Sequence, residues 1–175
     1  GELVVEINRP ERAFFESQLR WVRAYADLRS DRLAEINVQT GDLISFFGSI
    51  AYLGDGRRKN TRRLLHAVQD LAIAVETPVK HALRAARPMD FAAEVQPVIQ
   101  TPDHSSFPSG HATEAFIIAS VLHRLMTGES AAQGVASRAM PFRVAHRIAT
   151  NRTVAGVHFP VDSLAGALAG CALAD

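Results

Sequence analysis

Cysteine, long apolar runs and any excess of charge are all scarce in this 175-residue chain. The single cysteine, Cys171, excludes an internal disulfide framework and a cysteine-based zinc site. It reads as a small apolar residue on a helix face. No apolar run reaches the ~18 residues of a membrane span. The stretch from Phe46 to Leu53 stops at Gly54-Asp55-Gly56, and Leu164 to Leu173 is also short. The formal net charge is +1, so no global field draws the chain to nucleic acid or to an acidic membrane. An anion preference must therefore come from a local cluster. Strand signals are equally scarce, since Leu3-Val4-Val5 alternates only briefly. Neither a repeat nor a linker divides the chain. It opens on Gly1 rather than Met and has no signal-peptide pattern, which leaves room for a leader or further sequence. The compartment stays open, with a soluble, periplasmic or secreted setting favoured over the cytoplasm.

What is present points to one all-α domain over residues 1–175. Hydrophobic residues make up 47% and charged residues 21%, enough for a real core. Pro10 fits the first turn of a helix through Phe14, Leu19, Val22 and Ala26. Asp31 is the expected cap of a short helix with Leu33 and Ile36. A third is expected from Gly41 to Leu53, with a turn at Gly54-Asp55-Gly56. Asn60 is the expected cap of a long helix striped by Leu64, Leu65, Val68, Leu71, Ala72 and Val75. Thr77-Pro78 predicts a break, with a new segment ending at Arg87-Pro88. From Pro88 to Pro108 the chain reads as irregular, a length uncommon unless functional. Helices are then expected from Ser109 to Met126, from Pro141 to Val154 and from Pro160 onward, with a loop from Gly128 to Ser137. The small residues from Ala165 to Gly170 predict close helix packing. The helices before Thr77 are the candidates for a homo-oligomer contact.

Three segments carry the chemistry. Lys80, Arg84 and Arg87 follow i, i+4, i+7 spacing, which places them on one helix face able to converge on a multivalent anion. Phe107-Pro108-Ser109-Gly110-His111 opens a helix. Its unpaired N–H groups and positive dipole end suit an oxyanion, and Gly110 permits close approach. Ser109 can donate its hydroxyl, and His111 would sit beside the anion as proton donor or acceptor. In the third segment, His158 precedes the Pro160 helix. Asp162 lies in that helix's first turn, within reach of the imidazole, and leaves Nε2 as nucleophile or ligand. Arg152 brings a forked donor to the same anion. Phe107 and Phe159, beside the two motif histidines, read as core packing. His66, His81, His123 and His146 read as surface or packing residues.

In order, the pattern is Lys-x6-Arg-Pro, Pro-Ser-Gly-His, Arg-x5-His-x3-Asp. It resembles the superfamily shared by type 2 phosphatidic acid phosphatases, bacterial class A acid phosphatases and vanadium haloperoxidases, over roughly residues 77–170. The departure is Asn151, where the phosphatase pattern usually has serine. The resemblance implies a helical bundle of the acid phosphatase and haloperoxidase type. It implies that Lys80, Arg87 and Arg152 hold the phosphate oxygens, aided by Ser109 and the Gly110 N–H. His158 would form a phosphohistidine, Asp162 would orient it, and His111 would protonate the leaving oxygen and then activate water. The substrate is then a small phosphate ester, and no metal cofactor is required. The alternative reading is a vanadate-dependent haloperoxidase acting on halide and hydrogen peroxide, with His158 as the vanadium ligand. His104, in His-Ser-Ser-Phe-Pro-Ser-Gly-His, resembles algal bromoperoxidases and is an accessory candidate, as is Arg84. A lesser reading is a non-catalytic anion-binding domain.

Overall fold

The computed structural model describes residues 3–54 and 56–175, and its regular elements over them are helices alone. Asp55, in the expected turn, lies outside the described residues. In chain order the helices are α1 Arg12–Ala26, α2 Arg29–Val38, α3 Ile44–Ala51, α4 Lys59–Leu83, α5 Pro88–Phe91, α6 Gly110–Thr127, α7 Ala131–Ala136, α8 Met140–Val154 and α9 Pro160–Ala174.

The long helix α6 is the axle of the bundle, packed against α9, α8 and α4. Its Ala112, Ala115, Ile117, Ile118, Ala119 and Leu122 are all buried, so it is enclosed on most sides. The close α6–α9 contact comes from glycine, as the small-residue run predicts. A Cβ on Gly166 would lie 2.4 Å from the Ser109 carbonyl oxygen, and one on Gly170 would lie 2.4 Å from that of Thr113. A second core holds four phenylalanines. Phe15 and Phe159 are 5.1 Å apart by ring centroid, and Phe91 meets Phe159 edge-on at 5.5 Å. Phe107 joins them, 6.3 Å from Phe15. Phe107 and Phe159 are thus core residues. Their packing fixes the backbone just ahead of α6 and α9, next to His111 in the first turn of α6 and His158 before α9.

Several sequence expectations are corrected. The chain does not break at Thr77-Pro78, because α4 runs unbroken through Pro78 to Leu83. Proline removes one backbone bond there, but Ala74, whose carbonyl is released, is exposed on the outer face and can be solvated. The Thr77 hydroxyl also donates to the Ile73 carbonyl at 2.7 Å, tying that turn together. Neither Asp31 nor Asn60 is a cap: α2 begins at Arg29 and α4 at Lys59. The third helix is shorter than expected, beginning at Ile44 rather than Gly41. Two expected loops each contain a short helix. Asp90 accepts from the Arg87 N–H to close α5, and Ser130 with Gln133 forms a capping box on α7. The α4 stripe is only partly internal. Leu65 and Ala72 are buried, whereas Leu64, Leu71 and Val75 are exposed. The inward line instead continues through Glu76 and Lys80, so this face changes from apolar to charged as it reaches the start of α6.

Candidate active site

The starts of α6 and α9 meet. The Ser109 N–H donates to the Asp162 carbonyl at 2.9 Å, which joins the two motifs through the backbone. Asp162 is fully buried at the first turn of α9. Its Oδ2 accepts from the Phe159 N–H at 2.9 Å and from the Ser106 hydroxyl, and it faces His158 Nδ1 at 3.1 Å. The expected Asp162–His158 pairing is therefore present. It leaves Nε2 of His158 free for other work.

Three buried cations lie near His158. Lys80 leaves α4 and donates to the Ser105 carbonyl at 3.2 Å. Arg87 donates to the carbonyls of Val157 at 2.8 Å, His104 at 3.0 Å and Pro102 at 3.1 Å. Arg152 donates to the Gln39 side-chain oxygen at 2.8 Å and the Ile36 carbonyl at 3.3 Å, while its Nε is buried without a partner. In every one of these bonds the acceptor is neutral. Carbonyl dipoles hold the three buried charges, and the nearby carboxylates Glu76, Asp162 and Glu114 offset them only in part, because burial raises the pKa of all three acids.

Electrostatics place the groups in one neighbourhood. Burial pushes the His158 pKa well below its usual value, and the charges of Lys80, Arg87, His111 and Arg152 push it further. Burial, then Arg152, takes His111 down to about 3. Both imidazoles are therefore neutral near pH 7. Burial lifts Asp162 to about 6 and lowers Arg152 to about 10, so both stay charged at neutral pH.

Other expectations fare differently. Lys80, Arg84 and Arg87 do not share a helix face, because α4 ends at Leu83. Arg84 is the left-handed cap beyond it, with φ 46°. The turn, not helical spacing, brings Arg87 back toward Lys80. Arg84 and His104 are exposed on an open cleft of about 1060 Å³ that Lys80 and Arg87 also line. The His104 Nδ1 is 3.5 Å from the Arg87 guanidinium, but His111 and His158 lie off the wall of that cleft. The Ser109 hydroxyl accepts from the Ala112 N–H at 3.4 Å, as a helix cap does.

Sequence reasoning missed Gln39, Ser106, Glu76 and Glu114. Gln39 is 1% exposed and holds three site groups together. Its carbonyl lies 2.9 Å from His111 Nε2, and its side-chain oxygen accepts from both Arg152 and Asn151. It sits at the end of α2, outside the motif region, and no sequence signal marks it. Glu76 lies one turn before Lys80. The predicted break at Thr77 hid that relation.

A family model described as the PAP2 superfamily matches residues 64–174. The chain belongs to the PAP2 superfamily. The match begins before Thr77 and so takes in most of α4, whose inward face carries Glu76 and Lys80. A search of curated proteins finds no match. Among solved structures, the chain resembles a transmembrane PAP2-type phosphatidylglycerolphosphate phosphatase from Bacillus subtilis. That likeness has a TM-score of 0.61 at 23% identity and covers 94% of this chain and 84% of the other. It speaks to the PAP2 fold. Among the described residues, no helix of this PAP2 chain is long and apolar enough to cross a membrane.

Glu76 is an unusual acid within a PAP2 cup of buried cations. Burial raises its pKa to about 7, and Lys80 only partly opposes that rise. Between its ordinary value of 4.5 and about 7, the folded chain holds a proton that the unfolded chain has released. Stability is therefore lost as pH rises through this window. Glu76→Gln removes the loss. The variant is expected to melt several degrees above the wild type at pH 8, with a much smaller gain at pH 4.5. Equal gains at both values in thermal melts would refute the assignment.

Proposed function

We propose that this chain is a phosphoric monoester hydrolase that works through a phosphohistidine and needs no metal cofactor. One observation carries the reading. Lys80, Arg87 and Arg152 are buried near His158, their hydrogen bonds go to neutral acceptors, and this basic cluster suits a tetrahedral oxyanion. PAP2 membership supports it independently.

In the reaction we propose, the three cations hold the non-bridging oxygens of the phosphoryl group and offset the charge of the transition state. The Gly110 N–H at the start of α6 adds a donor. Asp162 accepts the Nδ1 hydrogen of His158 and turns the Nε2 lone pair toward phosphorus. That lone pair forms the P–N bond as the ester P–O bond breaks. The leaving oxygen takes a proton from His111. Burial first, and then the cations led by Arg152, keep His111 neutral, so it must gain that proton beforehand, and a bound phosphate dianion favours this by offsetting the cations' share. Water then attacks phosphorus, His111 takes up the water proton, and the P–N bond breaks to release phosphate and free His158.

A second reading is a vanadate-dependent haloperoxidase, favoured by the His104 ring beside Arg87. Vanadate copies phosphate in charge and shape, so the same cations and His158 would hold it. The deciding experiment compares hydrolysis of a generic aryl phosphate with peroxide-dependent bromination by vanadate-loaded protein. Hydrolysis competitively inhibited by vanadate is expected. Bromination without hydrolysis would favour the second reading. Neither activity, with no binding of phosphate or vanadate at millimolar concentration, would leave a non-catalytic domain.

A further inference from the structure

Glu76 has no role in the reaction above, yet its carboxyl group lies against Gly110 at the start of α6. An ideal Cβ on Gly110 would lie 2.4 and 2.8 Å from its two oxygens, so the space left by that glycine is filled by a carboxyl group. The side chain is nine-tenths buried, and its Oε2 is buried with no hydrogen-bond partner. On the same helix face, Lys80 follows one turn later. Glu114 faces Glu76 from α6, and its own Oε2 is engaged by the Gln69 amide at 2.8 Å. The unpaired acid is therefore Glu76. A lone carboxylate beside an oxyanion site repels the guest, whereas a neutral carboxylic acid donates to it.

We propose that Glu76 is a specificity-determining residue of the oxyanion cup: its carboxylic acid hydrogen-bonds a bound tetrahedral dianion, and its carboxylate excludes that dianion. The inference rests on the cup reading given under the proposed function. The other ionisable groups around the cup are Lys80 on α4, Glu114 and His111 on α6, Arg152 on α8, Asp162 and His158 at the start of α9, and Arg87 and His104 in the segment between α4 and α6. Burial raises Glu76 to about 7, which puts the change from donor to repeller near neutral pH. Asp162, raised to about 6, titrates in the same range, so a wild-type profile alone does not isolate Glu76. Comparison with variants does. The consequence for substrate choice is that phosphoryl dianions bind in acid and are refused in mild base.

The test uses sulfate, whose charge stays constant from weak acid to weak base, whereas phosphate itself titrates near neutrality. Sulfate affinity is measured by calorimetry at pH 5.5 and pH 8.5 for the wild type, Glu76→Gln and Glu76→Ala, with folding checked by thermal melts. Affinity linked to one proton falls about tenfold per pH unit above the pKa. The wild type is expected to lose at least about tenfold more affinity than Glu76→Gln across this interval. Glu76→Ala should be as flat as Glu76→Gln, but weaker at pH 5.5 because it lacks the donor. Parallel profiles in all three proteins would overturn the role of Glu76 while leaving the cup intact. If sulfate binds none of them at either pH, the cup reading itself fails and this inference falls with it.

Discussion

His158→Ala is expected to cut kcat for aryl phosphate hydrolysis by on the order of 10³-fold or more, with phosphate binding changed far less. The imidazole is the group whose Nε2 is left free once Asp162 faces Nδ1, and it sits among the site's positive charges. Removing it deletes the atom that bonds phosphorus, while Lys80, Arg87 and Arg152 keep their carbonyl partners. Arg152→Ala should behave oppositely, with KM and the phosphate inhibition constant rising more than kcat falls. It will also lower stability, because the guanidinium ties α8 to the Ile36 carbonyl and the Gln39 side chain on α2. Steady-state kinetics with a single-turnover quench separate these effects, and the quenched wild type should carry phosphate on His158. Full activity in His158→Ala would exclude the covalent route.

A matched glycine pair tests the packing that builds the cup. Gly166→Ala places a methyl group 2.4 Å from the Ser109 backbone oxygen, where no flexible side chain can yield. Helix α9 must then move away from α6, at a cost of about 1–3 kcal/mol or more. The movement also pulls on the Ser109–Asp162 backbone bond, so activity should fall along with stability. Gly48→Ala is the control. It lies within α3, and its new methyl group would meet nothing within 4 Å. It should be neutral or gain up to about 1 kcal/mol from helix propensity. Urea titration of the two variants checks both, and equal stability would mean that the α6–α9 contact is not held by glycine.

The motifs were legible because each pairs a residue type with a local geometry. Pro160 with Asp162 marks a helix start, and three-to-four-residue spacing fixes which side chains share its first turn. The Asp162–His158 contact followed directly from that. The small-residue run announced close packing for the same reason, although which helix it meets was not written there. Errors arose where a local rule competed with context. Proline normally ends a helix, yet Pro78 sits on a face where the released carbonyl meets water. Hydrophobic periodicity put Leu64, Leu71 and Val75 in one stripe with Leu65 and Ala72, although only the latter two lie on the inward line of α4, which continues through Glu76 and Lys80.

By itself, then, the sequence determined the all-helical class, the order of the three motif segments, and the pairing of Asp162 with His158. All of these are set by contacts within one or two helical turns. Only the tertiary structure decided that Gln39 holds His111 and Arg152 together, that Arg87 reaches the site by a turn rather than along a helix, and that Glu76 fills the space left by Gly110. Those contacts join residues far apart in the chain, and their partners depend on how helices pack, which no local spacing encodes.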